Sequence, residues 1–260
     1  MNHDEKTWIF GFHAVIARLR QRPESVTHIY FDESRKDPRA KDVLSRAKLA
    51  GCPVEATDKA TLDQKTLSGR HQGIVAQVKN IASALTLDEI LSGTTTPFLL
   101  VLDEVTDPHN LGACLRSADV FGVDAVILPK DRSVGITPVV SKVSCGAAET
   151  VPVIFVTNLS RALDQMKASG VWCVAADMDG ENLYDADLTG PMAWVLGAEG
   201  RGLRRLTREK CDRVVSIPML GSVESLNVSV AAGICLSATR MSRHRAGTPT
   251  LTGNLTKHVG

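Results

Sequence analysis

The chain has 260 residues, 30 Lys+Arg against 29 Asp+Glu, and 43% hydrophobic residues. At about 100–200 residues per domain this fits one large or two small domains, and it excludes a disordered or collagen-like chain. A net charge of +1 excludes a uniformly basic nucleic-acid coat but not a local patch, and 4% aromatic residues argue against binding single strands mainly by stacking.

No run reaches the roughly 18 apolar residues of a membrane helix. The first 23 residues lack the basic head, apolar centre and small-residue cleavage site of a secretion signal, so none is expected. Cys52, Cys114, Cys145, Cys173, Cys211 and Cys235 stand far apart without a C-x-x-C pair. They read as six small buried thiols in a reducing cytoplasm, in preference to zinc ligands or disulfides.

In chain order, Val15, Ile16 and Leu19 share a helical face, and residues 26–31 (VTHIYF) form a strand. Residues 38–51 form a helix closed by Gly51, and Asp58 caps a helix carrying Leu62 and Leu67. The turn 71–73 (HQG) leads into the alternating strand 74–79 (IVAQVK). Residues 1–80 hold 14 Lys+Arg and 10 Asp+Glu, whereas the rest hold 16 and 19. On charge alone a solvated surface is favoured over a polyanionic partner. A linker over 81–97 contains a short helix around Leu87–Leu91 and ends in SGTTTP.

From Phe98 the pattern becomes strand, loop, helix. Near-continuous apolar strands fall at 98–103, 124–129, 151–156, 171–176, 192–197 and 213–218. This predicts an α/β fold with a mainly parallel sheet covered by helices on both faces. Ligands in such sheets sit beyond the carboxyl ends of the strands. The predicted layout is a first domain over 1–80, a linker over 81–97, a second domain over 98–242 and a loosely ordered tail over 243–260.

Three loops at strand ends carry the chemical signal. In VTDPHNLGACLRSA (105–118), Asn110 stands at a helix entrance, Gly112 permits close approach of another backbone, and Arg116 follows on the first turns. Asn and Arg near a helix N-terminus can clamp a phosphate and a sugar; an N-cap and a surface cation are the plainer alternative. LGAEGRGL (196–203) has the order G-x-x-G-x-G, neither the dinucleotide fingerprint nor a Walker loop. Its backbone amides can meet a ligand, and Glu199 would repel phosphate, so a neutral or cationic group or a hydroxyl suits it; a plain turn with an exposed acid is the alternative. In SIPMLGSVESLNVSVAAG (216–233), an apolar stretch precedes a helix of small residues that Ser225 and Asn227 can cap or turn toward a ligand. His109 reads as loop structure. Asp103, Glu104 and Asp107 read as a strand-end cap and solvated acids, since no histidine ligand array accompanies them.

Together the three loops resemble the three motifs of the SpoU, or TrmH, family of RNA ribose 2′-O-methyltransferases within the SPOUT superfamily. The resemblance extends over residues 9–240. IFGFHAVIARL and HQGIVAQV are similar to the ends of that family's small amino-terminal RNA-binding domain, which is like ribosomal protein L30. The resemblance implies a deep trefoil knot in the second domain and S-adenosylmethionine as methyl donor. It places Gly197, Ile217 and Leu226 at the adenosyl part, with Leu196, Met219 and Leu220 as neighbours. It assigns Asn110, Arg116, Glu199, Ser225 and Asn227 to the catalytic site, and it implies no metal.

The implied reaction is in-line attack of a ribose 2′-hydroxyl on the sulfonium methyl, with the guanosine of the peptidyl-transferase P loop of 23S ribosomal RNA as acceptor. A transfer RNA guanosine and a noncatalytic ribosome-assembly role are the alternatives. Arginine keeps its proton at neutral pH, so a charge clamp on the adjacent phosphate suits Arg116 better than a free general base. The resemblance further implies a homodimer formed through the knot region, with no membrane attachment.

Overall fold

The computed structural model describes residues 6–21, 23–35, 38–66, 71–79, 85–198 and 200–247. The first sheet is built from β1 (Lys6–Phe10), α1 (Phe12–Gln21), β2 (Val26–Asp32), α2 (Pro38–Leu49), β3 (Val54–Thr57), α3 (Lys59–Thr66) and β4 (Ile74–Lys79). Its strand order is β1-β4-β2-β3, with β4 antiparallel to both neighbours and β2 parallel to β3. Because β4 is central, Ile74, Val75, Ala76 and Val78 are all buried. Ile74 and Ala76 join Val15, Leu19, Ile29 and Val43 under α1 and α2, while Val75 meets Phe10 and Leu62 under α3.

Asp58 caps α3 as expected, its Oδ1 accepting from the Thr61 N–H at 2.7 Å. Leu67 lies outside the described residues. Strands β1 and β3 escaped the sequence reading for physical reasons. β1 is short and stops at Gly11, whose φ is +88°. β3 is an edge strand with mostly exposed side chains, so it shows no alternation.

Next come α4 (Leu87–Ser92), β5 (Phe98–Leu102), α5 (Pro108–Val120), β6 (Ala125–Pro129), α6 (Pro138–Val143), α7 (Ala147–Thr150) and β7 (Val153–Val156). They are followed by α8 (Leu159–Ala168), β8 (Trp172–Asn182), β9 (Met192–Leu196), α9 (Arg205–Lys210), β10 (Arg213–Ser216) and α10 (Val228–Arg245). Thr86 and Glu89 form a capping box on α4. The six strands lie in the order β10-β8-β9-β5-β6-β7, and every pair is parallel.

Both faces are covered, which explains the continuous apolar runs. Phe98, Leu100 and Trp194 pack with Leu111, Leu115 and Leu236 from α5 and α10. Leu99, Val101 and Val195 pack with Leu159, Leu163 and Met166 from α8. The chain builds outward from β5 through β6 to β7, then returns and inserts β9 between β8 and β5. The strand order therefore reverses at β5/β9.

Three expectations change. β8 continues past Ala176 to Asn182, pairing with β10 across a register shift at Val214/Val215. Gly180 permits this, since a Cβ there would lie 2.5 Å from the Val214 carbonyl carbon. The folded region extends beyond 242: α10 runs to Arg245, and Arg243 is buried, donating to the carbonyls of Gly190 at 2.8 Å and Pro97 at 3.2 Å. Residues 248–260 lie outside the described residues. The cysteines are not all buried either. Cys145 is exposed and Cys211 half-buried. Burial pushes the thiols of Cys114, Cys173, Cys211 and Cys235 up to about 12. Among the described residues no helix is long and apolar enough to cross a membrane.

The two sheets meet through α1, β1, α6 and α7. Arg18 pairs with the buried Glu149, and Gly146 lies against Ala17, where a Cβ would come within 2.8 Å of the alanine methyl. Helix α6 grips α5 at Gly112, where a Cβ would stand 2.7 Å from that of Val143. Gly112→Ala should therefore lower the unfolding free energy by about 1–3 kcal/mol in urea titration. Adding Val143→Ala should return part of the loss; equal stability of Gly112→Ala and wild type would show that the helices can move apart freely.

Candidate functional site

A cleft of about 590 Å³ opens at the carboxyl ends of β8, β9 and β10. Leu196 and Gly197 end β9 and form its floor. Ile217, Met219, Ser225 and Leu226 come from the segment between β10 and α10. The backbone at Gly197 packs so closely on Gly202 and Leu203 that a Cβ would overlap them. Gly202 turns back with φ +65° and donates its N–H to the Ala198 carbonyl at 2.9 Å. The glycines are thus needed for one chain crossing and one reversal. Glu199, on this loop, lies outside the described residues. Leu220 departs from expectation: it is 101% exposed and does not line the cleft.

The sequence reading missed Asp177 and Met178 on the opposite wall. Asp177 accepts from the Arg208 Nε at 2.8 Å. Their signal was available in DMDG, which follows an apolar strand at its carboxyl end.

Beside the cleft, the second group assembles where α5 meets α10. Asp107, not Asn110, caps α5, its Oδ1 accepting from the His109 N–H at 2.9 Å, and Pro108 takes the first helical position. Asn110 is buried within the first turn, and its Oδ1 accepts from the Asn227 Nδ2 at 3.0 Å. Asn227 is the N-cap of α10; Ser225 does not cap that helix but lies exposed on the cleft wall. Arg116 stands in the third turn of α5, further along than expected. It is exposed and makes no hydrogen bond or ion pair among the described residues. The structure thus joins Asn110 to Asn227, and Ser225 to the cleft, while Arg116 stands apart in this single chain.

Of the three acids around the end of β5, Asp107 is exposed as expected, whereas Asp103 and Glu104 are drawn into ion pairs. Asp103 is buried, accepts from the Arg204 Nε at 3.0 Å and pairs with its Nη2 at 2.6 Å. This bond raises the Arg204 guanidinium above its ordinary value. Glu104 takes φ +61° and pairs with Arg132 at 3.1 Å. His109 is exposed, 3.2 Å from Asp107. Among the described residues no three His, Cys, Asp or Glu side chains gather as metal ligands.

Residues 97–237 match the SpoU rRNA Methylase family, and residues 8–83 match the RNA 2'-O ribose methyltransferase substrate binding family. The chain belongs to the SpoU rRNA methylase family. It is 56% identical to the 23S rRNA (guanosine-2'-O-)-methyltransferase RlmB of Shewanella oneidensis, over 88% of this chain and 94% of that one. It is 52% identical to the enzyme of the same name from Nitrosomonas europaea, over 95% of each. The SpoU methyltransferase AviRb from Streptomyces viridochromogenes has a similar structure, with TM-score 0.79 and 26% identity over 94% of this chain and 92% of that one. A second structure of AviRb holds the cofactor AdoMet and matches with TM-score 0.78 and 24% identity over 92% and 91%, a likeness of fold.

The Asp103–Arg204 pair fastens the loop after Gly202 to the end of β5. Arg204→Met should lower the unfolding free energy by about 2 kcal/mol in urea titration, because the carboxylate stays buried without its partner while water screens the half-exposed arginine. Adding Asp103→Asn should recover part of it, and an unchanged urea midpoint in Arg204→Met would show that the pair is not needed.

Proposed function

We propose that this chain transfers the methyl group of S-adenosylmethionine to the ribose 2′-hydroxyl of a guanosine in 23S ribosomal RNA, in the peptidyl-transferase P loop. The observation that carries the reading is the glycine-floored cleft at the carboxyl ends of β8, β9 and β10, beside the Asn110–Asn227 pair. The relatives named as 23S rRNA (guanosine-2'-O-)-methyltransferases match over 88% and 95% of this chain.

The cleft suits the donor. Its floor at Gly197 is backbone packed directly on Gly202 and Leu203, and Ile217 and Leu226 offer apolar walls to a flat base. Backbone at Gly197, Ile217 and Leu226 holds the adenosyl part, with Leu196 and Met219 as neighbours. The bound donor supplies an already activated sulfonium methyl. Arg116 grips the phosphate beside the target ribose, helps that phosphate take the 2′-hydroxyl proton, and stabilises the oxygen as the proton leaves. Asn110 and Asn227 order the acceptor, and Ser225 faces the donor. Glu199 orients Arg116 or a ribose hydroxyl. Holding both reactants in line accounts for up to about 7–11 kcal/mol in favourable cases.

Residues 1–80, the L30-like part, supply the grip on RNA, in keeping with the substrate-binding family matched there. The carboxy-terminal part is a trefoil knot, a reading supported by the crossing of Gly197 over Gly202 and by the insertion of β9 between older strands. The chain works in the cytoplasm as a homodimer that brings Arg116 to a partner's cleft. Along α10 runs a groove of about 890 Å³ lined by Val230, Ile234, Met241 and Tyr184, wide and apolar enough to seat a second copy.

The deciding experiment maps 2′-O-methyl groups in 23S ribosomal RNA from cells with and without the protein. One P-loop guanosine should lose its methyl group in the deletion, and an unchanged map would overturn the reading. Purified Arg116→Ala should lose about a hundredfold or more in kcat while keeping its affinity for S-adenosylhomocysteine; near-wild-type transfer would remove Arg116 from this role. Sedimentation at micromolar concentration should return the mass of two chains, and a monomer would refute the dimer.

A further inference from the structure

A second cavity opens on the carboxyl edge of the large sheet. It holds about 590 Å³ beyond the ends of β6 and β7, and Arg132, Thr157, Ser160, Arg204 and Arg205 line it. All six strands run parallel, so this cavity and the donor cleft at β8, β9 and β10 share one edge. The end of β5 stands between them, where Arg204 pairs with Asp103 and Arg132 with Glu104.

The lining is rich in donors that suit an anion. The Arg132 side chain is 73% exposed and gives its Nη1 to Glu104 at 3.1 Å; that of Arg205 is 80% exposed and gives its Nη1 to Glu209 at 2.7 Å. Their Nε and Nη2 groups have no partner among the described residues, and neither do the hydroxyls of Thr157 and Ser160. Water screens such exposed ion pairs, and a guanidinium held at one nitrogen keeps a second edge for a phosphate. Arg204 is different, since its Nε and Nη2 are both spent on Asp103. The carboxylates nearby are those three partners, Asp103, Glu104 and Glu209, and Asp131, an exposed acid of the lining that water also screens. No aromatic side chain stands among the lining residues, so a nucleobase has nothing to stack on there.

We propose that this second cavity is a backbone-phosphate site for the RNA strand that runs on from the acceptor nucleotide, with Arg132 and Arg205 as its ligands. The inference rests on the functional reading above and deepens it. An acceptor ribose brought to the donor cleft has a chain attached on each side, and the neighbouring stretch of the same sheet edge is this cavity. Phosphate contacts set the register of such a strand without reading its bases. The pairs at the end of β5 tie Arg132 and the loop carrying Arg205 to the strand next to β9, so a phosphate held there is held at a fixed place relative to the donor.

The test measures the Kd of a 23S ribosomal RNA fragment as a function of salt for full-length wild type, Arg132→Gln, Arg205→Gln and the double variant. Each single change should raise Kd about three- to tenfold and make the slope of log Kd against log salt shallower by about 0.7–1, and the double variant should combine the two losses. The calorimetric Kd for S-adenosylhomocysteine and the urea midpoint should stay at the wild-type values. Fragments with a single neutral methylphosphonate flanking the acceptor add a second readout: at one position the change should weaken binding to wild type and make no difference to the double variant. An unchanged salt slope in the double variant, the lack of any such position, or a loss of affinity that follows a fallen urea midpoint would overturn the site. Heat of binding from inorganic phosphate that the double variant loses, with the RNA Kd unchanged, would mark a site for a free anion and overturn the RNA assignment. A wild-type chain that binds the fragment but leaves it unmethylated with S-adenosylmethionine present would overturn the functional reading beneath, and the two failures are told apart because one is read in binding and the other in methyl transfer.

Discussion

The backbone of Gly197 runs against that of Gly202 and Leu203 with no room for a side chain between them. This contact sets the position of everything around the cleft. It brings the chain leaving β9 back over its own strand end, and the Asp103–Arg204 pair then fastens the returning loop to β5. Asp103 also donates its N–H to the Leu196 carbonyl at 2.8 Å, so the ends of β5 and β9 are locked together. A floor made of main chain is stiff, because its atoms have no rotamers to adjust. A flat ligand can therefore approach it closely at little cost in conformational entropy.

A second chain of close contacts links the amino-terminal sheet to the site. Gly146 and the Arg18–Glu149 pair seat α1 against α7, while α6 meets α5 at Gly112. Helix α5 carries Asn110 and Arg116. Whatever the first sheet holds is thus referred to the site through three helix contacts, two of which depend on a missing Cβ. Glycine here is a packing device, and its use away from the cleft is as specific as its use within it.

How much of this could be read from sequence follows from burial. The six parallel strands are apolar along their length because both faces are covered, so their positions were legible. β3 was not, since Val54, Glu55 and Ala56 lie on an exposed edge, and neither was the extension of β8 through the polar residues 177–182. The glycine loop announced itself by spacing. The family resemblance carries Leu220 over to the adenosyl part, whereas its side chain points wholly into solvent. The Asn110–Asn227 bond joins residues 117 apart, and no local pattern encodes it. Arg243 falls at the start of the stretch expected to be loosely ordered, yet it is buried. Burial in fact lowers its guanidinium to about 10, and that charge lies 4.7 Å from the centre of the Phe98 ring.

That arginine has a consequence for how the protein is made. Phe98 opens the first strand of the large sheet, yet its ring is covered by Arg240 and Arg243 from α10. Trp194, deep in the same layer, finds the partner for its indole N–H only at Thr239, 2.8 Å away. A nascent chain cannot finish this layer until α10 has emerged from the ribosome, so the large sheet must wait, half clothed, for that helix.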